Sequence, residues 1–227
     1  MKYIIIGLGG FGSSLAQYLT NMGHEVIGID SKMDRVDFYK DKITHTICMD
    51  ATDLYTMSGL PIKDTDMIIV AIGEEQGASI MCAANLKTLG AKKIIGRAIS
   101  TVHETVLYAI GVEIIIRPEK ESARKWSKKL TNENLEETFE LNRDYSIMEV
   151  RVPEKYDGKT IAEIDFRNNY NLVALTTVKE RETNSPLGGR RKNKEVHGVV
   201  QNHTILHKGD VIVVYGKNRD IEKFLNY

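Results

Sequence analysis

Apolar and polar positions alternate in blocks through the first half of the chain. Short apolar runs at 3–7 (YIIIG), 25–30 (EVIGID), 45–50 (HTICMD), 66–73 (DMIIVAIG), 92–99 (KKIIGRAI) and 112–118 (VEIIIRP) read as strands. Between them lie helix-like segments at 11–23, 31–41, 53–59, 74–90 and 101–111. Gly23 closes the first helix, and Ser31 is the candidate N-cap of the second. The run at 66–73 is apolar on both faces, as a central parallel strand must be. Strand–helix alternation of this kind predicts an α/β fold, a doubly wound, Rossmann-like parallel sheet covered on both faces.

After Pro118 the pattern changes. The segment 119–139 is highly charged, its apolar residues sparse (Ala123, Trp126, Leu130 and Leu135 among them), and reads as one connecting helix. Trp126 on it could anchor to a partner subunit or to its own domain. From about Tyr145, three strand-like runs (145–153, 172–180, 210–216) and short helices near 159–164 and 219–225 predict a smaller α+β domain. The expected organisation is therefore 1–118, a linker helix at 119–140, and 141–227. Residues 181–198 are polar, contain Pro186-Leu187-Gly188-Gly189, and carry Arg190, Arg191, Lys192 and Lys194. They read as a solvated loop, with a phosphate-binding loop as the alternative.

Composition narrows the field. Basic and acidic side chains balance at 31 each in 227 residues, which argues against a bulk electrostatic grip on nucleic acid. No apolar run approaches the roughly 20 residues that span a bilayer. Lys2 before an apolar stretch imitates a signal peptide, but glycines interrupt the stretch at once, so a buried strand is expected. Cys48 and Cys82 have no metal or redox spacing and read as core thiols of a reducing cytosol.

The candidate chemistry sits at the first strand's end. Gly7, Gly9 and Gly12 form G-x-G-x-x-G between a strand and a helix, with Gly10 and Phe11 inside the motif. Gly7 allows the tight turn, Gly9 lets backbone approach a pyrophosphate, and Gly12 brings helix and sheet close. The helix start offers free N–H groups and partial positive charge to phosphate. Asp30 ends the second strand, about where a carboxylate accepts hydrogen bonds from ribose hydroxyls and disfavours a 2′-phosphate. A turn without ligand, and a strand-end cap at Asp30, are the structural alternatives. Catalytic signals are missing from the sequence: there is no Tyr-x-x-x-Lys pair, and the six histidines are scattered. His203 and His207 fall in a predicted turn, while His24 and His45 flank strand starts. Binding is favoured over reaction, with an NAD(P)-dependent oxidoreductase as the rival.

Four stretches in order, 4–30, the "DATD" of Asp50–Asp53, 69–98 and 111–123, together with 207–225, carry a resemblance that covers nearly the whole chain. The chain resembles the RCK-type (KTN/TrkA-type) cytosolic regulatory subunits of bacterial Trk/Ktr potassium uptake systems. The resemblance implies a non-enzymatic protein at the inner face of the cell membrane, gating a membrane potassium-translocating subunit. It implies homodimers, with the crossover helix at the contact, stacked into a ring, typically an octamer. NAD(H) and ADP/ATP are the implied ligands. The implied site adds Ser31, Asp50, Ala51 and Thr52 beside adenine, Ile72 and Gly73 after the fourth strand, and Arg97 at phosphate. Glu119 matches a position that helps hold a divalent cation between subunits; a first-turn acid favoured by the helix dipole is the alternative. Arg167 and Asn171 lie near the region where some relatives bind cyclic di-AMP, or are ordinary surface residues. Ktr-type loops often place an arginine where this chain has Gly10.

Overall fold

The computed structural model describes residues 1–132, 134–184 and 190–226, the side chains of 180–184 and 190–193 excepted. It divides into two compact units, Met1–Ser122 and Ala123–Tyr227.

In the first unit, strands β1 (Lys2–Ile6), β2 (Glu25–Asp30), β3 (His45–Cys48), β4 (Met67–Val70), β5 (Ile94–Arg97) and β6 (Ile114–Ile116) form a parallel sheet ordered β3-β2-β1-β4-β5-β6. Helices α1 (Gly10–Asn21), α2 (Met33–Tyr39), α3 (Leu54–Met57), α4 (Gln76–Thr88) and α5 (Thr101–Ala109) connect them. The three isoleucines of β1 show why the strand is apolar throughout. Side chains alternate across a sheet, so Ile4 and Ile6 join Ile29, Val70 and Leu86 on one face. Ile5 joins Leu8, Ala16 and Ile69 on the other. All three are fully buried, each worth roughly 1.5–3 kcal/mol of transfer free energy. The stretch that imitates a signal peptide is the central strand of the fold.

Two expectations fail here. Ser31 does not cap α2: Lys32 holds the N-cap position with no side-chain bond. Asp30 instead orders the chain just before the helix, its carboxylate accepting the Lys32 N–H at 2.9 Å. Cys48 is not a core thiol; it is exposed at the sheet edge, whereas Cys82 is buried and its thiol is pushed up to about 12 by that burial.

Helix α6 (Pro118–Thr131) leads onward, but the helix expected to continue towards residue 140 stops at Thr131. The Asn132 carbonyl accepts the Leu135 N–H and its side chain accepts the Asn134 N–H, turning the chain. Leu135–Glu140 is then a strand, β7. The charge run looked continuous because the acids of β7 complement the bases of α6: Arg124–Glu140, Lys125–Glu137, Lys128–Glu140 and Lys129–Glu136. Trp126 remains half exposed, with the Lys129 ammonium 5.7 Å from its ring centre.

The second unit is an antiparallel sheet ordered β10-β9-β11-β8-β7, with β8 (Tyr145–Arg151), β9 (Val173–Asn184), β10 (Arg190–Val199) and β11 (Val211–Lys217). Helices α7 (Ile161–Ile164), α8 (Phe166–Tyr170) and α9 (Asn218–Asn226) pack on it. Val150, Leu172, Leu206, Ile212, Val214 and Phe224 form the centre of its core. Of the loop expected at 181–198, residues 181–184 and 190–198 are instead strand, paired antiparallel with Arg190 opposite Asn184 and Lys194 opposite Glu180. A charged run reads as loop, yet a hairpin ladder is made by backbone and needs no apolar face. Lys194 pairs with Glu149 of β8 at 2.6 Å. Residues 185–189 and the side chains of Arg190, Arg191 and Lys192 lie outside the described residues. His203 and His207 are exposed, His207 lying 3.7 Å from Asp157.

Candidate functional site

β1 lies between β2 and β4 in the sheet, so the chain reverses direction of winding at β1. In such sheets the crevice outside the strand ends at the reversal is the place for a ligand. A cavity of about 420 Å³ opens there.

The glycine loop forms one wall. Gly7 has φ +99°, a conformation side chains resist, and a Cβ there would sit 3.0 Å from the Ile72 nitrogen. A Cβ on Gly12 would overlap the Gly7 carbonyl, so α1 can approach the strand only because that position is bare. Gly9 and Gly10 face open space and line the cavity; Phe11 and Gly12 stand behind it. Because α1 starts at Gly10, its first N–H groups lack intrahelical acceptors and sit at the cavity wall.

Asp30 is buried, and its carboxylate is already well used. It accepts the Leu8 N–H at 2.8 Å and the Lys32 N–H at 2.9 Å, and holds the Arg35 guanidinium at 3.3 Å. It thus ties the glycine loop to the end of β2. A carboxylate has about four acceptor positions, so one stays open, and a second opens if Arg35 moves.

The β3 end supplies Asp50, Ala51 and Thr52. Asp50 folds the turn by accepting both the backbone N–H and the hydroxyl of Thr52, each at 2.8 Å. The Thr52 carbonyl accepts the Asn85 side-chain amide at 2.9 Å, which fastens the turn to α4. Ser31, Ile72 and Gly73 also line the cavity.

Arg97, at the end of β5, closes the far side. Its Nη1 donates to the Ala71 carbonyl at 3.1 Å and its Nη2 meets Glu119 in the first turn of α6. Phe11 places its ring centre 5.9 Å from the guanidinium carbon. Burial would raise the Glu119 carboxyl, but the Arg97 hydrogen bond and charge, with a backbone bond, hold it below its ordinary value. Among the described residues no three His, Cys, Asp or Glu side chains gather in a way that could hold a metal ion.

The structure therefore brings eleven of the sequence candidates to one cavity, with Phe11 and Gly12 supporting them. Glu119 joins through Arg97. Arg167 and Asn171 are exposed on and after α8; the Asn171 amide reaches Asp220 at 3.5 Å. A small cavity of about 290 Å³ in the second unit, lined by Arg219, Glu222, Lys223 and Asn226, includes neither.

Lys32, Arg35, Glu74 and Asn85 were not picked out from sequence. Glu74 accepts Arg35 Nη2 at 2.7 Å and lies 3.3 Å from Lys32, across the crevice. The one available signal was Arg35, five residues after Asp30 at the start of a helix.

Comparison with known proteins identifies the family. Residues 3–118 match the TrkA-N domain and residues 147–227 the TrkA-C domain. The Ktr system potassium uptake protein C of Bacillus subtilis is 32% identical over 225 residues, 98% of this chain and 95% of that one. The chain belongs to the TrkA/Ktr family of potassium uptake proteins. The Ktr system potassium uptake protein A of the same organism is 30% identical over 225 residues, covering 99% of this chain and 96% of that relative. Among solved structures, the GsuK RCK domain has the same fold, with a TM-score of 0.65 at 16% identity, covering 100% of this chain and 48% of that one. The GsuK channel bound to NAD aligns with a TM-score of 0.59 at 16% identity, over 96% of this chain and 38% of that one. Among the described residues no helix is long and apolar enough to cross a membrane.

Proposed function

We propose that the protein is the nucleotide-sensing regulatory subunit of a Ktr/Trk-type potassium uptake system. It acts at the cytoplasmic face of the membrane on a separate potassium-translocating subunit. One observation carries the reading: the cavity at the strand reversal has a glycine loop, a carboxylate at one end and an arginine at the other. Relatives that match over the whole chain are potassium uptake proteins. An adenine nucleotide is the ligand class. Gly7 and Gly12 shape the phosphate turn, and Gly9, Gly10 and the start of α1 present N–H groups to phosphate. Asp30 takes ribose, Asp50–Thr52 flank adenine, and Arg97 meets phosphate. That the GsuK channel is described as bound to NAD supports NAD(H) beside ADP/ATP.

Gating then needs two conformations with different nucleotide affinity, since a ligand that binds both equally shifts nothing. The pairing of Arg97 with Glu119 gives such a link a physical route. A phosphate drawing on Arg97 loosens its hold on the start of α6, the helix that we place at a subunit contact in a dimer-built ring, an octamer by resemblance. Glu119 supplies one carboxylate towards a divalent cation, and would have to leave Arg97 to do so. Cyclic di-AMP at a dimer contact near Arg167 and Asn171 is the second-ligand proposal.

Mass spectrometry of the co-purified nucleotide, then calorimetry with ADP, ATP, NAD and NADH, tests the reading. Binding without turnover, by a large assembly in light scattering, is expected. Hydride transfer to a substrate in a broad panel, or absence of all nucleotide binding, would overturn it.

A further inference from the structure

The nucleotide cavity carries at its ribose end a charged group of four residues, of which the proposed function uses Asp30 alone. Asp30 and Glu74 supply two carboxylates, and Lys32 and Arg35 two cations. Arg35 bridges the carboxylates, Nη1 to Asp30 at 3.3 Å and Nη2 to Glu74 at 2.7 Å. Lys32 lies 3.3 Å from the other Glu74 oxygen. All four line the cavity.

The two carboxylates are held very differently. Asp30 has only 5% of its side chain exposed and is fixed by two backbone N–H groups. Glu74 is 68% exposed, and among the described residues its carboxylate accepts hydrogen bonds from Arg35 and Lys32 only. It stands on the far side of the crevice, in the segment that follows β4, and reaches across to both cations at once. Those hydrogen bonds, Arg35 first and then Lys32, keep its carboxyl below its ordinary value, so it remains charged at neutral pH.

In a dinucleotide fold, the acid that ends the second strand accepts from the ribose 2′-hydroxyl, and a nearby arginine is what accommodates a 2′-phosphate. Arg35 is that nearby arginine, with Lys32 beside it. A guanidinium and an ammonium converging on one point make a good phosphate site. Here a carboxylate of the chain itself already occupies that point.

We propose that Glu74 acts beside Asp30 to exclude 2′-phosphorylated nucleotides, by occupying Lys32 and Arg35 as a tethered substitute for the phosphate. This assignment rests on the reading of the cavity as an adenine-nucleotide site and names its ligand class more closely: nucleotides with a free ribose 2′-hydroxyl. The four charges cancel while Glu74 is present. Without its charge the ribose end is left with one net positive charge, and Lys32 Nζ and Arg35 Nη2 are released while Arg35 Nη1 stays on Asp30.

The probes are adenosine 5′-monophosphate and adenosine 2′,5′-bisphosphate, which differ only in the 2′-phosphate, with affinities measured by calorimetry at fixed ionic strength. The wild-type protein is expected to bind the monophosphate more tightly. Glu74→Gln, an exposed isosteric change, should raise the affinity for the bisphosphate relative to the monophosphate about tenfold, as removal of a like charge a few ångströms away predicts at a protein surface. Glu74→Gln combined with Arg35→Gln should lose that gain. A ratio unchanged in Glu74→Gln overturns the assignment. So does loss of monophosphate binding in that variant, which would make Glu74 a holding group, and so does a gain that survives in the double variant. If the wild-type protein binds neither probe, the nucleotide reading itself fails and this assignment falls with it.

Discussion

The guanidinium of Arg97 covers Gly73 and grips Glu119, joining the end of β5 to the first turn of α6. A Cβ on Gly73 would lie 2.5 Å from Arg97 Nη1 and 2.7 Å from its central carbon. Position 73 is therefore glycine so that Arg97 can reach the Ala71 carbonyl and Glu119 together. Gly73→Ala is expected to dislodge the arginine and to weaken ADP binding while leaving adenosine binding nearly unchanged. Arg97→Gln should cost about 1.5–3 kcal/mol of ADP affinity, the range for hydrogen bonds to charged groups. Calorimetry with both ligands checks this; equal losses for adenosine and ADP would place Arg97 away from phosphate.

The two kinds of glycine in the loop should respond oppositely to alanine. At Gly12 a methyl group meets the Gly7 carbonyl, so α1 must move, and overpacking of this sort costs about 1–3 kcal/mol. At Gly10 nothing lies within 4 Å and the residue opens a helix. Gly10→Ala should raise stability by about 0.4–1 kcal/mol by restricting the unfolded chain. The same open space admits a longer side chain. Gly10→Arg should fold and tighten ATP relative to ADP, as measured by calorimetry beside thermal melts of all three variants.

The parallel sheet was legible because β1, β2 and β4 are buried on both faces and leave a continuous apolar signature, as Ile4, Ile5 and Ile6 show. The positions of the glycine turn and Asp30 were legible because their spacings at strand ends are short, whereas Asp50–Thr52 came to notice only through the resemblance. β7 was not legible: Glu136, Glu137 and Glu140 continue the charge of α6, and only the turn at Asn132 separates them. The hairpin of β9 and β10 was hidden for a related reason, since polar strands held by backbone pairing leave no periodic signal. Arg35 and Glu74 meet across the crevice although they are far apart in sequence and belong to different strand–helix units. No local pattern reports such a meeting. Asp30 was placed correctly at its strand end, but its bonds to the Leu8 and Lys32 N–H groups appear only once the loop is folded.

Asn85 offers a test of the adenine end without touching ligand. Its amide is the tie between α4 and the Thr52 carbonyl. Asn85→Ala should lower nucleotide affinity by about 1 kcal/mol, the net worth of one such bond, through a looser turn. Amide exchange at 50–53 should rise in the variant; faster exchange with unchanged affinity would separate that turn from the binding site.

α6 buries none of its residues, yet from Arg124 onward it is joined to β7 by ion pairs from Arg124, Lys125, Lys128 and Lys129. These pairs are partly exposed and so are screened as salt rises and the Debye length shortens. Raising KCl from about 0.1 M to 1 M, where that length falls from about 10 Å to 3 Å, should speed amide exchange in 123–131 more than in β8 or β11. Equal protection at both salt concentrations would mean that another contact holds the helix.

His103 gives the first unit a defined pH response. It is buried; its Nδ1 accepts the Ile99 N–H at 3.5 Å, and its Nε2 has no partner among the described residues. Burial holds its pKa below the ordinary 6.5, because the charged ring would be poorly solvated there. The sign follows from proton counting. Between the lowered folded value and 6.5 the unfolded chain binds the proton and the folded chain does not, so stability rises with pH in that window. The neutral ring's contribution is fully present above 6.5 and declines as pH falls towards the folded value, below which it is constant. His103→Asn, which keeps an acceptor for Ile99 but cannot titrate, should therefore lose less stability than the wild type between about pH 7.5 and pH 5. Urea unfolding at several pH values reads this directly. A stability difference between the two proteins that is constant across the range would show that His103 titrates alike in the folded and unfolded chain.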